Sequence, residues 1–324
     1  MSHDPRDARV EPVDPDRYPP VLPGSPGPLE GPAEERSRRY DSRMDDRLRR
    51  SLLYVPASSE AMLRKAGSRE ADTVIVDLED GVLPEAKDAA RAQAERLWPE
   101  VERAPAEALL RVNAPGTPWH ENDVAAALRV RPAGVVLPKC EASPAVAATV
   151  ARLAGLPLYL MVETARGVLA APEMARVESV AGLLFGAADF RSSVRAGRDP
   201  EEAELLVARS SLVLAARAAG IEVFDTPYFE YRDEAGLEAS ARRVRLLGFD
   251  GKTAVHPAQV RVINRVFAPT PAEIERARAI VAALEKAARE GRGVAAVDGE
   301  MVEALHADEA RRTLARARLS GLET

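Results

Sequence analysis

The chain has 324 residues with 45 lysines and arginines against 51 aspartates and glutamates, a formal charge of −6 and a pI near 5.5. The basic residues are scattered, which excludes an electrostatic footprint for nucleic acid. The single cysteine, Cys140, excludes an intrachain disulfide framework and a cysteine-based zinc cluster and fits a reducing, cytoplasmic setting.

Residues 1–48 are predicted to form a disordered tail. Met1 to Pro32 holds nine of the 25 prolines among Asp, Glu and Arg, with almost no apolar pattern to offset the entropy of ordering. The tail has no apolar stretch of signal-peptide type, and no later apolar run reaches the ~18 residues needed to span a bilayer. A soluble protein without a membrane partner is expected.

From Ser51 onward, eight β-favouring runs alternate with amphipathic stretches: 51–56, 73–80, 108–113, 134–139, 158–164, 181–190, 222–227 and 252–257. Several helical stretches end in Gly, as helix C-termini commonly do. This alternation predicts an α/β fold, a TIM (β/α)8 barrel over 49–268, followed by a C-terminal helical lid segment over 269–324. An open doubly wound sheet would want a Gly-rich turn after the first strand, and YVPASSE has no glycine.

In such a barrel the chemistry gathers at the C-terminal ends of the strands. Those ends supply Asp77, Glu79, Asp80, Arg111, Asn113, Lys139, Glu163, Asp189, Asp225 and His256. Glu163 and Asp189, closing strands 5 and 6, suit Mg²⁺, which takes oxygen ligands and completes its shell with water and substrate. The same acids would equally serve as partners for rim arginines or lysines. Arg111 offers a planar fork to a carboxylate or a developing enolate, or to the Asp-Leu-Glu-Asp acids on the neighbouring strand. Lys139 and Lys252 are candidates for a Schiff base, a role made superfluous by the acid pair and Arg111. No GxSxG, GxxxxGK or HExxH motif is present.

The stretches LLYVPASSEAMLRKA, ADTVIVDLEDGVLPEAKDAAR, LLRVNAPGT, GVVLPK, VETARGVLAAPEM, LLFGAADF, GFDGKTAVHPAQV and AVDGEM, in this order, resemble the citrate lyase β-subunit-like branch of the HpcH/HpaI aldolases. That branch includes malyl-CoA and citramalyl-CoA lyases. The resemblance implies a Mg²⁺-dependent carbon–carbon lyase acting on a 3-hydroxyacyl-CoA through an acyl-CoA enolate, with a CoA thioester and a 2-oxo acid as its small-molecule partners.

By the same resemblance Glu163 and Asp189 hold the metal, and Arg111 holds the substrate and the enolate. Tyr54, Lys65, Val255 and His256 meet CoA or substrate, while Asp77, Glu79 and Asp80 support the metal from behind. Asp298, in the DG motif, is implied as the proton-transfer residue, on a lid that returns over the mouth and is often supplied by a neighbouring subunit. A homo-oligomer, trimer or hexamer, is implied. Ala61 departs from relatives that carry a second basic residue there. A citrate lyase β subunit in a larger complex and a non-catalytic barrel are the competing expectations.

Overall fold

The computed structural model describes residues 47–66 and 70–322. The predicted tail lies, up to residue 46, outside the described residues.

Eight parallel strands close a barrel in sequential order. They are β1 (Ser51–Pro56), β2 (Thr73–Asp77), β3 (Glu107–Arg111), β4 (Gly134–Leu137), β5 (Leu158–Val162), β6 (Val180–Phe185), β7 (Glu222–Asp225) and β8 (Gly251–Ala254). Covered on both faces, strands such as LYLMV and VAGLLF are buried along their whole length, which explains why they read as continuous apolar runs.

The helices are α1 (Glu60–Arg64), α2 (Lys87–Glu102), α3 (His120–Val130), α4 (Ser143–Arg152), α5 (Ala165–Met174), α6 (Ala187–Val194), α7 (Leu206–Ala219), α8 (Glu234–Leu247) and α9 (Pro257–Phe267). In α2 the buried Ala90, Ala94, Leu97, Trp98 and Val101 fall on one helical face. That face turns toward the strands and forms the outer core. A separate inner core of Leu52, Ile75, Leu109, Val136, Tyr159, Met161, Leu184 and Phe224 fills the barrel lumen, with Tyr54 packed against it.

Four expectations need correction. β2 ends at Asp77, so Glu79 and Asp80 stand in the following turn. β6 ends at Phe185, and Asp189 belongs to the first turn of α6. Asp225 is no rim acid, because it is wholly buried. Its carboxylate accepts from Arg209 Nε at 2.8 Å and Nη2 at 3.1 Å and pairs with the buried Lys252 ammonium at 2.5 Å. Burial works against its charge, but Arg209 and Lys252 outweigh it and hold the carboxyl below the usual range. Asp225→Ala would strand the buried Lys252 ammonium and leave Arg209 only Glu202, so a loss of about 3–5 kcal/mol in unfolding free energy is expected from chemical denaturation.

The fourth correction concerns the lid. The C-terminal segment forms α10 (Pro271–Arg289), a hairpin of β9 (Ala295–Val297) and β10 (Glu300–Val302), and α11 (Ala304–Leu319). Ala277, Ile280, Val297, Val302 and Ala310 give this unit a small core of its own. Its polar contacts run to the N-terminal side of the barrel: Arg316 to Asp250 at 3.8 Å, and Arg50, just before β1, to Ser320 at 3.4 Å. Within one chain the segment therefore does not cover the barrel mouth.

Candidate active site

Strand register builds the centre of the site. β2 and β3 pair so that Asp77 and Arg111 stand side by side at the last rung. The guanidinium donates from Nε to Asp77 Oδ1 at 2.7 Å and from Nη2 to Oδ2 at 2.8 Å. The carboxylate also accepts the backbone N–H groups of Glu79 at 2.8 Å and Gly81 at 2.9 Å, which ties the acidic turn down. Burial would raise Asp77, yet the Arg111 charge and these four hydrogen bonds hold it below the usual carboxylate range.

The third guanidinium nitrogen, Nη1, lies 2.8 Å from Glu79 Oε2. Angles make this an ion pair only, since Glu79 Oε2 is buried without a hydrogen-bond partner among the described residues. Tyr54 stacks its ring on Arg111 at 4.8 Å and fixes the plane of the fork. Behind the turn, Lys87 donates to the carbonyls of Leu78 and Glu79 and to Asn113 Oδ1, while Asn113 donates to Asp123. Asn113 thus braces the rim from below instead of meeting a ligand.

Glu163 follows β5 and is 3% exposed. Its Oε1 accepts the Lys139 backbone N–H at 2.6 Å. Burial pushes its carboxyl up to about 8 against the pull of Lys139, and a hydrogen bond with Asp189 pushes the same way. Gly186 makes room for this arrangement: a Cβ there would stand 2.6 Å from Glu163 Cβ and 2.8 Å from Oε2. The next residue, Ala187, donates its N–H to Thr226 Oγ1 at 3.2 Å, which sets the start of α6 and with it Asp189.

Tyr54, Asp77, Asp80, Arg111, Glu163, Asp189 and Val255 line one cavity of about 430 Å³, together with Met161, Phe185, Thr226 and Phe229. Glu79 joins through Arg111 and Lys139. Lys65, His256 and Asp298 neither line it nor join it in this way. Lys65 is the exposed C-cap of α1, whose Met62 does reach the cavity. His256 caps α9 by accepting the Ala258 N–H and stacks on Tyr231 at 4.8 Å. Asp298 is 76% exposed, 3.4 Å from Arg276, at the corner of the β9–β10 hairpin. There Asp298 and Gly299 both take positive φ, the backbone an Asp-Gly turn supplies.

The sequence reading missed what surrounds the Lys139 ammonium. It lies 3.2 Å from Glu79, 3.4 Å from Asp189, 3.8 Å from Asp80 and 4.0 Å from Glu163. Its charge beside four acids rules out the neutral amine a Schiff base needs, and burial of Lys252 against Asp225 removes the other candidate.

The donor set fits a hard divalent cation. Five carboxylates, Asp77, Glu79, Asp80, Glu163 and Asp189, stand against three cations among the described residues, Arg111 and Lys139 in ion pairs and Lys87 behind the turn, so negative charge is in excess. Glu163 and Asp189 both face the Lys139 ammonium, at 4.0 and 3.4 Å, so the two carboxylates already share a cation as neighbour. No group of three or more His, Cys, Asp or Glu among the described residues forms a ready-made cage. Magnesium suits a two-carboxylate site because it keeps several positions for water or substrate oxygens.

A family model described as HpcH/HpaI aldolase/citrate lyase matches residues 50–257. The chain belongs to this family. It is an enzyme of the carbon–carbon lyase type, and a second model, described as a C–C bond lyase of the TIM-barrel fold, matches residues 209–322 and so takes in the C-terminal unit. The (3S)-malyl-CoA thioesterase of Cereibacter sphaeroides is 40% identical over 268 residues, spanning 83% of this chain and 94% of that protein. The citrate lyase subunit beta of Escherichia coli K12 is 37% identical over 288 residues, spanning 85% and 95%. Among solved structures, protein CitE from Mycobacterium tuberculosis in complex with magnesium, acetoacetate and coenzyme A aligns with a TM-score of 0.72 and 31% identity, over 85% of this chain and 99% of that one. No helix among the described residues is long and apolar enough to cross a membrane.

Proposed function

We propose that this HpcH/HpaI family member is a Mg²⁺-dependent lyase for a 3-hydroxyacyl-CoA of the malyl-CoA or citramalyl-CoA type. The observation that carries this reading is the acid pair Glu163 and Asp189 beside Arg111 in one cavity, with negative charge in excess. The relatives named for malyl-CoA and citrate lyase, and the CitE complex with magnesium and coenzyme A, support it.

Glu163 and Asp189 would hold the metal, which when bound supplies Lewis acidity toward the 2-oxo acid half of the substrate. Arg111 faces the thioester half. In cleavage the 3-hydroxyl proton leaves, the carbonyl of the 2-oxo acid forms, the C2–C3 bond breaks, and its electron pair becomes the acyl-CoA enolate. Arg111 Nη1, free of the bidentate grip on Asp77, would donate to the enolate oxygen as charge develops there. Asp77, Glu79 and Tyr54 keep that donor pre-aimed, so little reorganisation is needed during the reaction. The enolate carbon then takes a proton, giving acetyl-CoA or its homologue. Tyr54 and Val255 would border the thioester, with Lys65 and His256 outside the cavity toward the CoA chain.

Asp298 stands away from the cavity of its own chain, so as proton-transfer residue it would reach the site of a neighbouring subunit in a homo-oligomer. Asp298→Asn is expected to lower turnover about 10²-fold or more with unchanged Mg²⁺ binding, read from steady-state rates and calorimetric titration. Wild-type rates in this variant would return Asp298 to a turn role alone.

The test of the reading is product analysis with malyl-CoA and citramalyl-CoA, with Mg²⁺ or with EDTA. Acetyl-CoA formed only with Mg²⁺ is expected. Free CoA without acetyl-CoA would instead favour hydrolysis, as the thioesterase relative's name suggests. Turnover only with a carrier protein and partner subunits would favour a citrate lyase β role.

A further inference from the structure

The loop after β4 turns at Lys139 with φ of +55°, in the left-handed region that residues with side chains enter only at a cost. That backbone does two things at once. It aims the Lys139 N–H at Glu163 Oε1, and it carries the ammonium among Glu79, Asp189, Asp80 and Glu163, between 3.2 and 4.0 Å from each. These acids come from the turn after β2, the end of β5 and the first turn of α6. A lysine serving only to pack or to solubilise the rim has no reason to sit where three separate elements bring their carboxylates together.

We propose that Lys139 is a resident counter-cation of the acid cluster, holding Glu79, Asp80, Glu163 and Asp189 in place without metal and giving way at Glu163 and Asp189 when Mg²⁺ binds. The proposal rests on the metal reading above and adds a role for a residue outside the ligand pair. Four carboxylates this close repel one another unless a cation sits among them. Two cations cannot both occupy the space between Glu163 and Asp189, so metal entry drives the ammonium toward Glu79 and Asp80. Its side chain is 45% exposed, so the way out is open. Lys139 is thus a positioning residue: it keeps the ligand acids assembled while the metal is away, and its backbone N–H keeps Glu163 oriented in both states.

The experiment compares wild type, Lys139→Met and Lys139→Arg by thermal unfolding, in EDTA and in saturating Mg²⁺. In EDTA, Lys139→Met is expected to unfold ~2–4 °C below wild type. Mg²⁺ should close that gap, so the metal raises the Tm of this variant more than that of wild type, and Lys139→Arg should track wild type in both conditions. An equal deficit with and without Mg²⁺, or no deficit at all, would overturn the proposal.

If Lys139→Met does not fold, amine acylation of the wild-type protein followed by peptide mass spectrometry decides. Saturating Mg²⁺ should raise labelling of Lys139 several-fold while Lys286 is unchanged, and an unchanged or lower Lys139 rate overturns it. A wild-type Tm indifferent to Mg²⁺ removes the metal reading and this proposal with it. A wild type that responds to Mg²⁺ while Lys139 does not removes this proposal alone.

Discussion

Glu163→Gln is expected to lose Mg²⁺-dependent stabilisation and about 10³-fold or more in turnover, without losing metal-free stability. The first part follows from ligand chemistry: an amide replaces one of the two carboxylates that would hold the metal, and a Lewis acid contributes several kcal/mol to the transition state at ~1.4 kcal/mol per factor of ten. The second follows from burial. Glu163 is 3% exposed, and desolvation holds its carboxyl up near 8, so the folded state gains little from its charge. Gln keeps the shape and still accepts the Lys139 N–H that reaches Oε1 at 2.6 Å. A site acid kept for function and not for stability should behave in this way. Thermal unfolding with and without Mg²⁺, beside steady-state rates, checks both halves. Wild-type turnover in this variant would remove the metal assignment.

Arg111 should separate stability from catalysis across two variants. Arg111→Met leaves Asp77 buried and unpaired beside Glu79, and losing one partner of a buried pair costs about 3–5 kcal/mol. Its turnover falls too, but that result alone would not distinguish unfolding from lost chemistry. Arg111→Lys keeps a cation against Asp77 and should retain most of the stability. A lysine cannot reproduce the planar fork, which grips Asp77 with one edge while leaving Nη1 for the enolate oxygen, so kcat should still drop by about 10²–10³-fold. A Lys variant with wild-type kcat would mean that Arg111 only braces the rim.

The fold was largely legible because burial on both faces makes parallel strands apolar throughout, and all eight barrel strands fall within the predicted runs or one residue of them. Strand ends were less legible. The run from Ala181 to Phe190 crosses from β6 into α6 without losing apolar character, so Asp189 read as a strand terminus while it stands in a helical turn. The Asp77–Arg111 pair was accessible in principle, since in-register parallel strands ending in opposite charges place them together.

Asp225 was not accessible. Its partners lie 16 and 27 positions away, on a helix and on the next strand, and nothing local marks that acid as interior. The placement of Asp298 within its own chain was inaccessible for the same reason: the Asp-Gly turn was readable, but the side of the barrel against which its segment docks is set by distant contacts such as Arg316 with Asp250 and Arg50 with Ser320. Lys139 read as an edge lysine because the four acids around it come from segments scattered across more than a hundred residues of sequence.

The enolate is the centre of the account, and cleavage of malyl-CoA in D₂O with Mg²⁺ tests it most directly. Mass spectrometry of the product should show acetyl-CoA carrying one solvent deuterium in its methyl group, together with glyoxylate, and no product in EDTA. Malate and free CoA in place of acetyl-CoA, or acetyl-CoA without deuterium, would contradict it.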